Sequence, residues 1–156
     1  MDVFITSSVG RGITKITAFD AALRGAGIAN TNLIVLSSII PPNSHIKFGI
    51  PDIPKERFGD RLYVVKAENT TAVKGKSIAA GIGWVMEINN SFGLFVEQMA
   101  ETKDEVANLI RNSLKDMTLG RSEYRFTQTN MRVEEAICEN QHVCCLVCAV
   151  YRLERW

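Results

Sequence analysis

The chain has 156 residues, of which 46% are hydrophobic and 22% are charged, and its formal net charge is +1. This length and balance predict a single globular domain, residues 1–156, with a sizeable core. The near-neutral charge provides no basic field of the kind that binds nucleic acid or an acidic membrane surface. No apolar run approaches the ~20 residues that span a bilayer. The N-terminal sequence M-D-V-F-I-T-S-S lacks the positive-then-apolar layout of a secretory signal, so we expect a cytoplasmic protein.

The first part of the chain predicts strands separated by one short helix. Residues 2–7 are apolar enough for a strand, and the glycine-containing S-S-V-G-R-G at 7–12 predicts a loop. Residues 16–24 predict a helix, because glycines follow its last periodic position. Residues 32–40 predict a buried strand, which two prolines end because they donate no ladder hydrogen bond. Residues 41–60 carry four prolines and two glycines and predict a loop.

The second part of the chain predicts further strands and two helices. In chain order these are a strand at 61–67, an Ala- and Gly-rich helix at 72–82, a hairpin of 84–88 with 93–99, a helix from about 102 to 120, and strands near 122–131 and 142–152. The helix after residue 102 has the clearest signals, since Thr102 and Glu105 form a capping box and Gly120 ends the apolar stripe. Strands mixed with about three helices predict an α/β (α+β) fold in which helices cover sheet faces.

Cysteine and histidine give no metal site. The four cysteines all lie near the C-terminus: Cys138, Cys144, Cys145 and Cys148. Cys145 and Cys148 have the C-x-x-C spacing, but alternation along a buried strand would point them to opposite faces. We therefore predict that the cysteines pack in the core. His45 and His142 are too few and too distant in sequence to bind a metal unaided.

The serine pair inside N-L-I-V-L-S-S-I-I-P-P, residues 32–42, has two explanations. The simpler is a buried strand that ends at a turn. The other is self-cleavage, in which the Ser38 hydroxyl attacks the Ser37 carbonyl and converts the amide into an ester. β-Elimination then frees the upstream carboxylate and leaves dehydroalanine, which hydrolyses to a pyruvoyl group and ammonia. That route needs a strained bond and a stabilised oxyanion.

Residues 17–42, T-A-F-D-A-A-L-R-G-A-G-I-A-N-T-N-L-I-V-L-S-S-I-I-P-P, resemble the pyruvoyl-dependent arginine decarboxylases. They match that family's A-F-D-x-A-L helix start, A-G-I-x-N-x-N-L turn and S-S-I-x-P-P processing site, in order. Residues 93–98, G-L-F-V-E-Q, resemble its G-L-I-x-E strand. The resemblance implies a four-layer α/β/β/α sandwich, cleaved into a β chain of residues 1–37 and an α chain of residues 38–156. It also implies trimers or hexamers with active sites between neighbouring subunits.

The resemblance further implies an enzyme that converts L-arginine into agmatine and carbon dioxide, within arginine metabolism and polyamine biosynthesis. The substrate amine would form a Schiff base with a covalent pyruvoyl group generated from Ser38, so neither a metal nor pyridoxal phosphate would be needed. Two alternatives stay open. The same machinery could act on histidine or lysine, or the chain could be a non-processed, non-catalytic oligomeric homologue.

The resemblance assigns catalytic roles to Ser37, Ser38, Asn32 and Glu97. Glu97 would return a proton to the substrate α-carbon, and its apolar strand would favour the protonated carboxyl. Its structural alternative is a strand-end residue that faces water. The Asn32 amide would steady the oxyanion during cleavage, although the same residue could simply open the strand.

Substrate contacts fall on Asp20, Leu23, Thr31 and Ile39 under the same resemblance. Asp20 would accept the planar guanidinium of arginine through both carboxylate oxygens. Its alternative is the third helical position of a capping box that begins at Thr17. Leu23 and Ile39 would line the aliphatic part of the pocket.

Overall fold

The structure is a computed structural model that describes residues 1–156. It has two helices, nine strands and one 3₁₀ turn at Lys55–Arg57. The helices are α1 (Lys15–Gly25) and α2 (Lys103–Leu119). The strands are β1 (Asp2–Gly12), β2 (Asn32–Val35), β3 (Ile39–Ile40), β4 (His45–Phe48), β5 (Arg61–Thr71), β6 (Ser77–Met86), β7 (Gly93–Ala100), β8 (Asn130–Ile137) and β9 (His142–Glu154). Neither helix is long and apolar enough to cross a membrane.

The strands form two sheets that pack face to face. The first sheet has the order β2-β5-β9-β1-β4, and the second has the order β3-β7-β6-β8. The largest buried cluster lies between the sheets and joins side chains such as Val3, Val147, Ile82 and Phe95. Helix α1 covers the outer face of the first sheet, and α2 covers the outer face of the second. The four-layer α/β/β/α order confirms the predicted fold class.

The cysteines pack as predicted. Cys145 faces the core between the sheets, whereas Cys144 and Cys148 lie under α1, so alternation along β9 separates the C-x-x-C pair. All four thiols are free and buried. Burial raises the pKa of Cys145 and of Cys148 to about 12, which keeps both thiols protonated.

Both helices begin at capping boxes, one of which was predicted. Thr102 and Glu105 cap α2, and Gly120 follows its last residue, as expected. In α1 the N-cap is Thr14, whose hydroxyl accepts the Thr17 N–H. The predicted box between Thr17 and Asp20 is therefore wrong, because the helix begins one turn earlier.

Two glycine-rich segments were assigned incorrectly because their glycines serve close packing. Residues 7–12 continue β1, which pairs with β9 as far as Gly12. A Cβ at Gly10 would lie 2.2 Å from the Ala18 carbonyl oxygen, so only glycine lets α1 approach this strand. Likewise, the predicted helix at 72–82 is replaced by β6, where a Cβ at Gly83 would lie 2.0 Å from Ile110 Cγ2 on α2. The chain consequently has two helices instead of about three.

The remaining differences are local. The hairpin of β6 and β7 turns at residues 89–91, as predicted. Residues 41–60 are mostly loop but include β4, which pairs in parallel with β1. The strand expected near 122–131 instead occupies 130–137 as β8, beside β6.

Candidate active site

The serine pair lies where the chain crosses from one sheet to the other. The single buried strand predicted for residues 32–40 is wrong, since β2 pairs with β5 in the first sheet and β3 pairs with β7 in the second. Upstream of the crossing, the Leu36 N–H donates to the Val64 carbonyl at 2.9 Å. Downstream, the Ser38 carbonyl accepts the Phe95 N–H at 2.8 Å. Only Ser37 separates these two anchors, so little chain is available to relax the Ser37–Ser38 peptide bond.

The backbone at Ser38 is strained. Its φ of +44° lies in the left-handed region, which residues with a side chain rarely adopt. A conformation of this kind costs on the order of 1–3 kcal/mol and persists only where the surrounding structure enforces it. Here the enforcement comes from the anchors on the two sheets. The adjoining Ser37 is exposed to solvent.

The Ser38 hydroxyl contacts Glu97. Ser38 Oγ donates to Glu97 Oε1 at 2.6 Å, a short bond typical of a charged acceptor. Glu97 lies on β7, three residues beyond Leu94, which pairs with Ile39. The side chain is half-buried, so the alternative of a strand-end carboxylate that faces open water does not apply. Two of the four predicted catalytic residues, Ser38 and Glu97, therefore meet within one chain.

Ser38 and Glu97 open into a cavity of about 480 Å³ between β7 and α2. That volume lies within the range of small-molecule sites in proteins. Three residues of α2 that also line it were not predicted from the sequence: Ser113, Asp116 and Met117. Their i, i+3, i+4 spacing beside the apolar stripe of α2 was the available signal.

Tyr151 also contacts the strand that follows the serine pair and was not predicted from the sequence. Its hydroxyl donates to the Ile39 carbonyl at 3.0 Å, directly after Ser38. Burial raises the pKa of Tyr151 well above its ordinary value, and the nearby Glu97 carboxylate raises it further. Alternation along β9 places Tyr151 on the same face as Val147 and Ala149, toward the second sheet, which was the signal in the sequence.

The other predicted site residues lie on α1 or in the segment that leads from α1 to the first residue of β2. Asp20 is on the exposed side of α1, where its carboxylate pairs with Arg24 at 3.0 Å. Leu23 packs between α1 and the first sheet. Thr31 Oγ1 donates to the Ile28 carbonyl at 2.8 Å. The Asn32 amide donates to the Gly59 carbonyl at 2.5 Å.

The predicted residues therefore form two clusters. The serine cluster consists of Ser37, Ser38, Ile39 and Glu97. The helix cluster consists of Asp20, Leu23, Thr31 and Asn32. Within one chain the clusters stay apart, because Asn32 opens β2 whereas Ser37 follows its end, and the strand between them spans roughly 13 Å at 3.3 Å per residue. The Asn32 amide is directed at Gly59 and not at the serine pair.

Comparisons with known proteins agree with the sequence motifs. The family model for pyruvoyl-dependent arginine decarboxylase matches residues 2–155. A pyruvoyl-dependent arginine decarboxylase of Methanothermobacter thermautotrophicus is 31% identical over 141 residues, which cover 86% of this chain and 89% of the relative. The Thermococcus kodakarensis protein of the same name is 34% identical over 114 residues, with 72% and 71% covered.

Other matches are shorter. The Thermoplasma volcanium pyruvoyl-dependent arginine decarboxylase is 39% identical over 90 residues, which are 58% of this chain and 50% of the relative. The match to the Picrophilus torridus protein covers 63% of each. The chain thus spans between half and two thirds of the length of these two relatives. Because the family match extends over nearly the whole chain, the chain belongs to the pyruvoyl-dependent arginine decarboxylase family.

Proposed function

We propose that the domain of residues 1–156 cleaves itself after Ser37 and uses a pyruvoyl group formed from Ser38 to convert L-arginine into agmatine and carbon dioxide. The observation that carries this proposal is the strained left-handed backbone at Ser38, whose hydroxyl lies 2.6 Å from the Glu97 carboxylate. The family match supports the substrate and the cofactor. We expect the reaction to supply agmatine for polyamine synthesis in the cytoplasm.

Self-cleavage would begin at the anchored crossing. Glu97 accepts the hydroxyl proton as Ser38 Oγ attacks the Ser37 carbonyl carbon, and the amide becomes an ester with a free Ser38 amine. Loss of the Ser38 α-proton expels the Ser37 carboxylate and leaves dehydroalanine, which takes up water and releases ammonia to give the pyruvoyl terminus. Because Leu36 is anchored on one sheet and Ser38 on the other, cleavage frees the two ends and releases the strain.

The surroundings of Ser38 fit a pyruvoyl group at that position. Such a group supplies a carbonyl that takes up the substrate amine and accepts the electron pair left by carbon dioxide. The Phe95 N–H holds the carbonyl of residue 38 in place. Glu97 can hold, beside the reacting atoms, the proton that the substrate α-carbon takes up. Val96 and Met117 supply the apolar part of the cavity lining beside Glu97.

Substrate recognition would use the helix cluster of a neighbouring copy in a trimer or hexamer. Two features support this arrangement. The helix cluster lies apart from Ser38 within one chain, and the Asp20 carboxylate is exposed, so a second subunit can reach it. There Asp20 would accept the guanidinium of arginine, with Leu23 and Thr31 around the aliphatic part. Asn32 would face the bond of the neighbouring serine cluster and steady its oxyanion.

The test is the intact mass of the purified protein under denaturing conditions, together with agmatine release from arginine. A chain of 17.3 kDa should give fragments of about 4 and 13 kDa, the larger with an N-terminal carbonyl. Ser38→Ala should stay intact and inactive, whereas the matched control Ser37→Ala should still be cleaved, because it keeps the attacking hydroxyl.

Three outcomes would count against the proposal. An intact wild-type chain would favour a non-catalytic oligomer. Fragments that retain an N-terminal serine would indicate ordinary hydrolysis, in which no ammonia is lost. Release of carbon dioxide from histidine or lysine, but not from arginine, would overturn the proposed substrate. It would leave the proposed pyruvoyl chemistry in place.

A further inference from the structure

The strand that carries the reactive serine is short and lies at an edge. Strand β3 has two residues, and its one neighbour in the second sheet is β7. Under the proposed function, cleavage turns residue 38 into a chain terminus directly ahead of this strand. A chain terminus that is held by so few ladder hydrogen bonds frays readily. Something besides β7 must therefore hold the new terminus against Glu97.

Tyr151 supplies a contact from the opposite sheet. Its hydroxyl donates to the Ile39 carbonyl, while the Phe95 N–H holds the Ser38 carbonyl from within the second sheet. Two successive carbonyls are thus held by donors on two different sheets. The Tyr151 ring meets the Phe95 ring edge-on, with centroids 6.2 Å apart, and Phe95 meets Trp84 at the same distance. This aromatic row fixes the direction of the hydroxyl.

We propose that the Tyr151 hydroxyl is a positioning group that holds the Ser38–Ile39 segment in place after cleavage, so that the reactive terminus stays beside Glu97. The inference rests on the proposed function and adds a residue to it. Tyr151 acts through Ile39 and does not touch the reacting atoms.

The environment of Tyr151 suits a permanent donor. Burial and the Glu97 carboxylate both raise its pKa, so the phenol keeps its proton throughout the working range of an enzyme. A neutral phenol beside Glu97 adds no competing charge at the site. Because the acceptor is the backbone carbonyl of Ile39, this hydrogen bond does not depend on the Ile39 side chain.

Tyr151→Phe tests the proposal because it removes the hydroxyl and keeps the aromatic row. Tyr63→Phe is the matched control, since the Tyr63 hydroxyl donates to Glu154 at 2.6 Å, outside the serine cluster. The readouts are kcat per cleaved chain, KM for arginine, melting temperature, and the rate at which borohydride reduces the pyruvoyl carbonyl without substrate. Loss of one hydrogen bond that orients the terminus should lower kcat roughly three- to tenfold.

We expect Tyr151→Phe to reduce kcat with little change in KM, to speed borohydride reduction, and to melt like Tyr63→Phe. Equal kcat values in the two variants would overturn the inference. A Tyr151→Phe chain that fails to fold, or that melts far below the control, would assign the hydroxyl to stability and would also overturn it. An uncleaved wild-type chain would instead contradict the proposed function itself.

Discussion

At the scale of single residues, Ser38 differs from other buried or half-buried serines in its backbone more than in its hydrogen bond. Ser7 also donates to a glutamate, Glu134, at 2.7 Å, yet it lies within the regular strand β1. A serine–glutamate hydrogen bond alone therefore does not distinguish Ser38. At Ser38 the pair coincides with a left-handed backbone between two anchors, and under the proposed function this combination would prepare one peptide bond for attack.

The comparison between these two pairs gives a prediction for Glu97. Glu97→Gln keeps the shape and an acceptor for Ser38 Oγ but cannot take up or return a proton. We expect turnover per cleaved chain to fall by roughly 10²–10⁴-fold, the usual contribution of a general acid. Cleavage itself should slow as well. The measurement is agmatine production, normalised to the cleaved fraction from mass spectrometry.

Glu134→Gln is the control for that experiment, because it removes the same charge from a serine–glutamate pair outside the serine cluster. It should cleave and turn over like the wild type. Equal losses in both variants, or normal turnover in Glu97→Gln, would remove Glu97 from the chemistry.

At the scale of elements, the small residues of β6 determine how closely α2 packs. Ala-rich and Gly-rich composition predicted a helix here, because alanine favours helices and the tertiary contacts are not visible in the local sequence. In the structure these small residues lie in a strand and allow a helix to pack closely against it. Gly81 and Gly83 leave room for Val106 and Ile110, so α2 lies close against the second sheet and forms one wall of the cavity.

Gly83→Ala should therefore destabilise the protein. The added methyl would lie 2.0 Å from Ile110 Cγ2 in a packed layer, and overpacking of this kind costs about 1–3 kcal/mol. Urea unfolding measures the change. Gly120→Ala is the control, since its φ is −68° and a Cβ there meets nothing closer than 3.7 Å. A Gly83→Ala chain as stable as this control would show that α2 can shift freely.

The turn of the β6–β7 hairpin gives a prediction about pH. Glu87 is buried, and burial alone would raise its pKa, but hydrogen bonds from Ser91 and Asn89 outweigh burial and lower the pKa below the ordinary 4.5. The unfolded chain consequently binds this proton more readily than the folded chain. The stabilisation is complete above the ordinary value and is lost as the pH falls through the lowered one.

Glu87→Gln should therefore be less stable than the wild type at pH 7, and the difference should shrink as the pH falls below the ordinary value of 4.5. Urea unfolding of both proteins, at pH 7 and in acid, measures the difference in their free energies of unfolding. Glu123→Gln, at an exposed position, is the control and should follow the wild type. A difference in stability that stays constant with pH would mean that the hydrogen bonds matter but the charge does not.

Local signals explain which elements could be predicted from the sequence. Helix α2 and the hairpin turn at 89–91 carry their own caps and turn residues, so both were predicted. The break at residues 36–38 carries no such signal, since the apolar run continues across it. The break arises from pairing with strands at residues 61–71 and 93–100, which are far away in sequence. Tyr151 was missed for the same reason, because its partner Ile39 is 112 residues away.

At the scale of the whole molecule, the two clusters suggest why the family resemblance implies oligomers. The fold places the helix cluster on α1 and at the start of β2, and the serine cluster near an edge of the second sheet. A closed ring of identical subunits can bring the helix cluster of one copy to the serine cluster of the next without any change within the chain. The active site would then form only in the oligomer. A substitution in one cluster would damage only the contribution of that cluster to a site and would leave the other cluster of the same chain usable.

Complementation tests this arrangement directly. Ser38→Ala and Asp20→Asn should each be inactive toward arginine alone, the first without a pyruvoyl group and the second without its guanidinium acceptor. When the two are co-expressed with different tags and purified as mixed oligomers, a site can combine Ser38 from one chain with Asp20 from the other. Random mixing in a ring should restore about a quarter of the wild-type sites. Mixing Ser38→Ala with Glu97→Gln should restore none, because both changes lie in the serine cluster and every site then lacks one of them. No recovery in the first mixture would mean that each site is built within one chain, and Asp20 would no longer be a substrate contact.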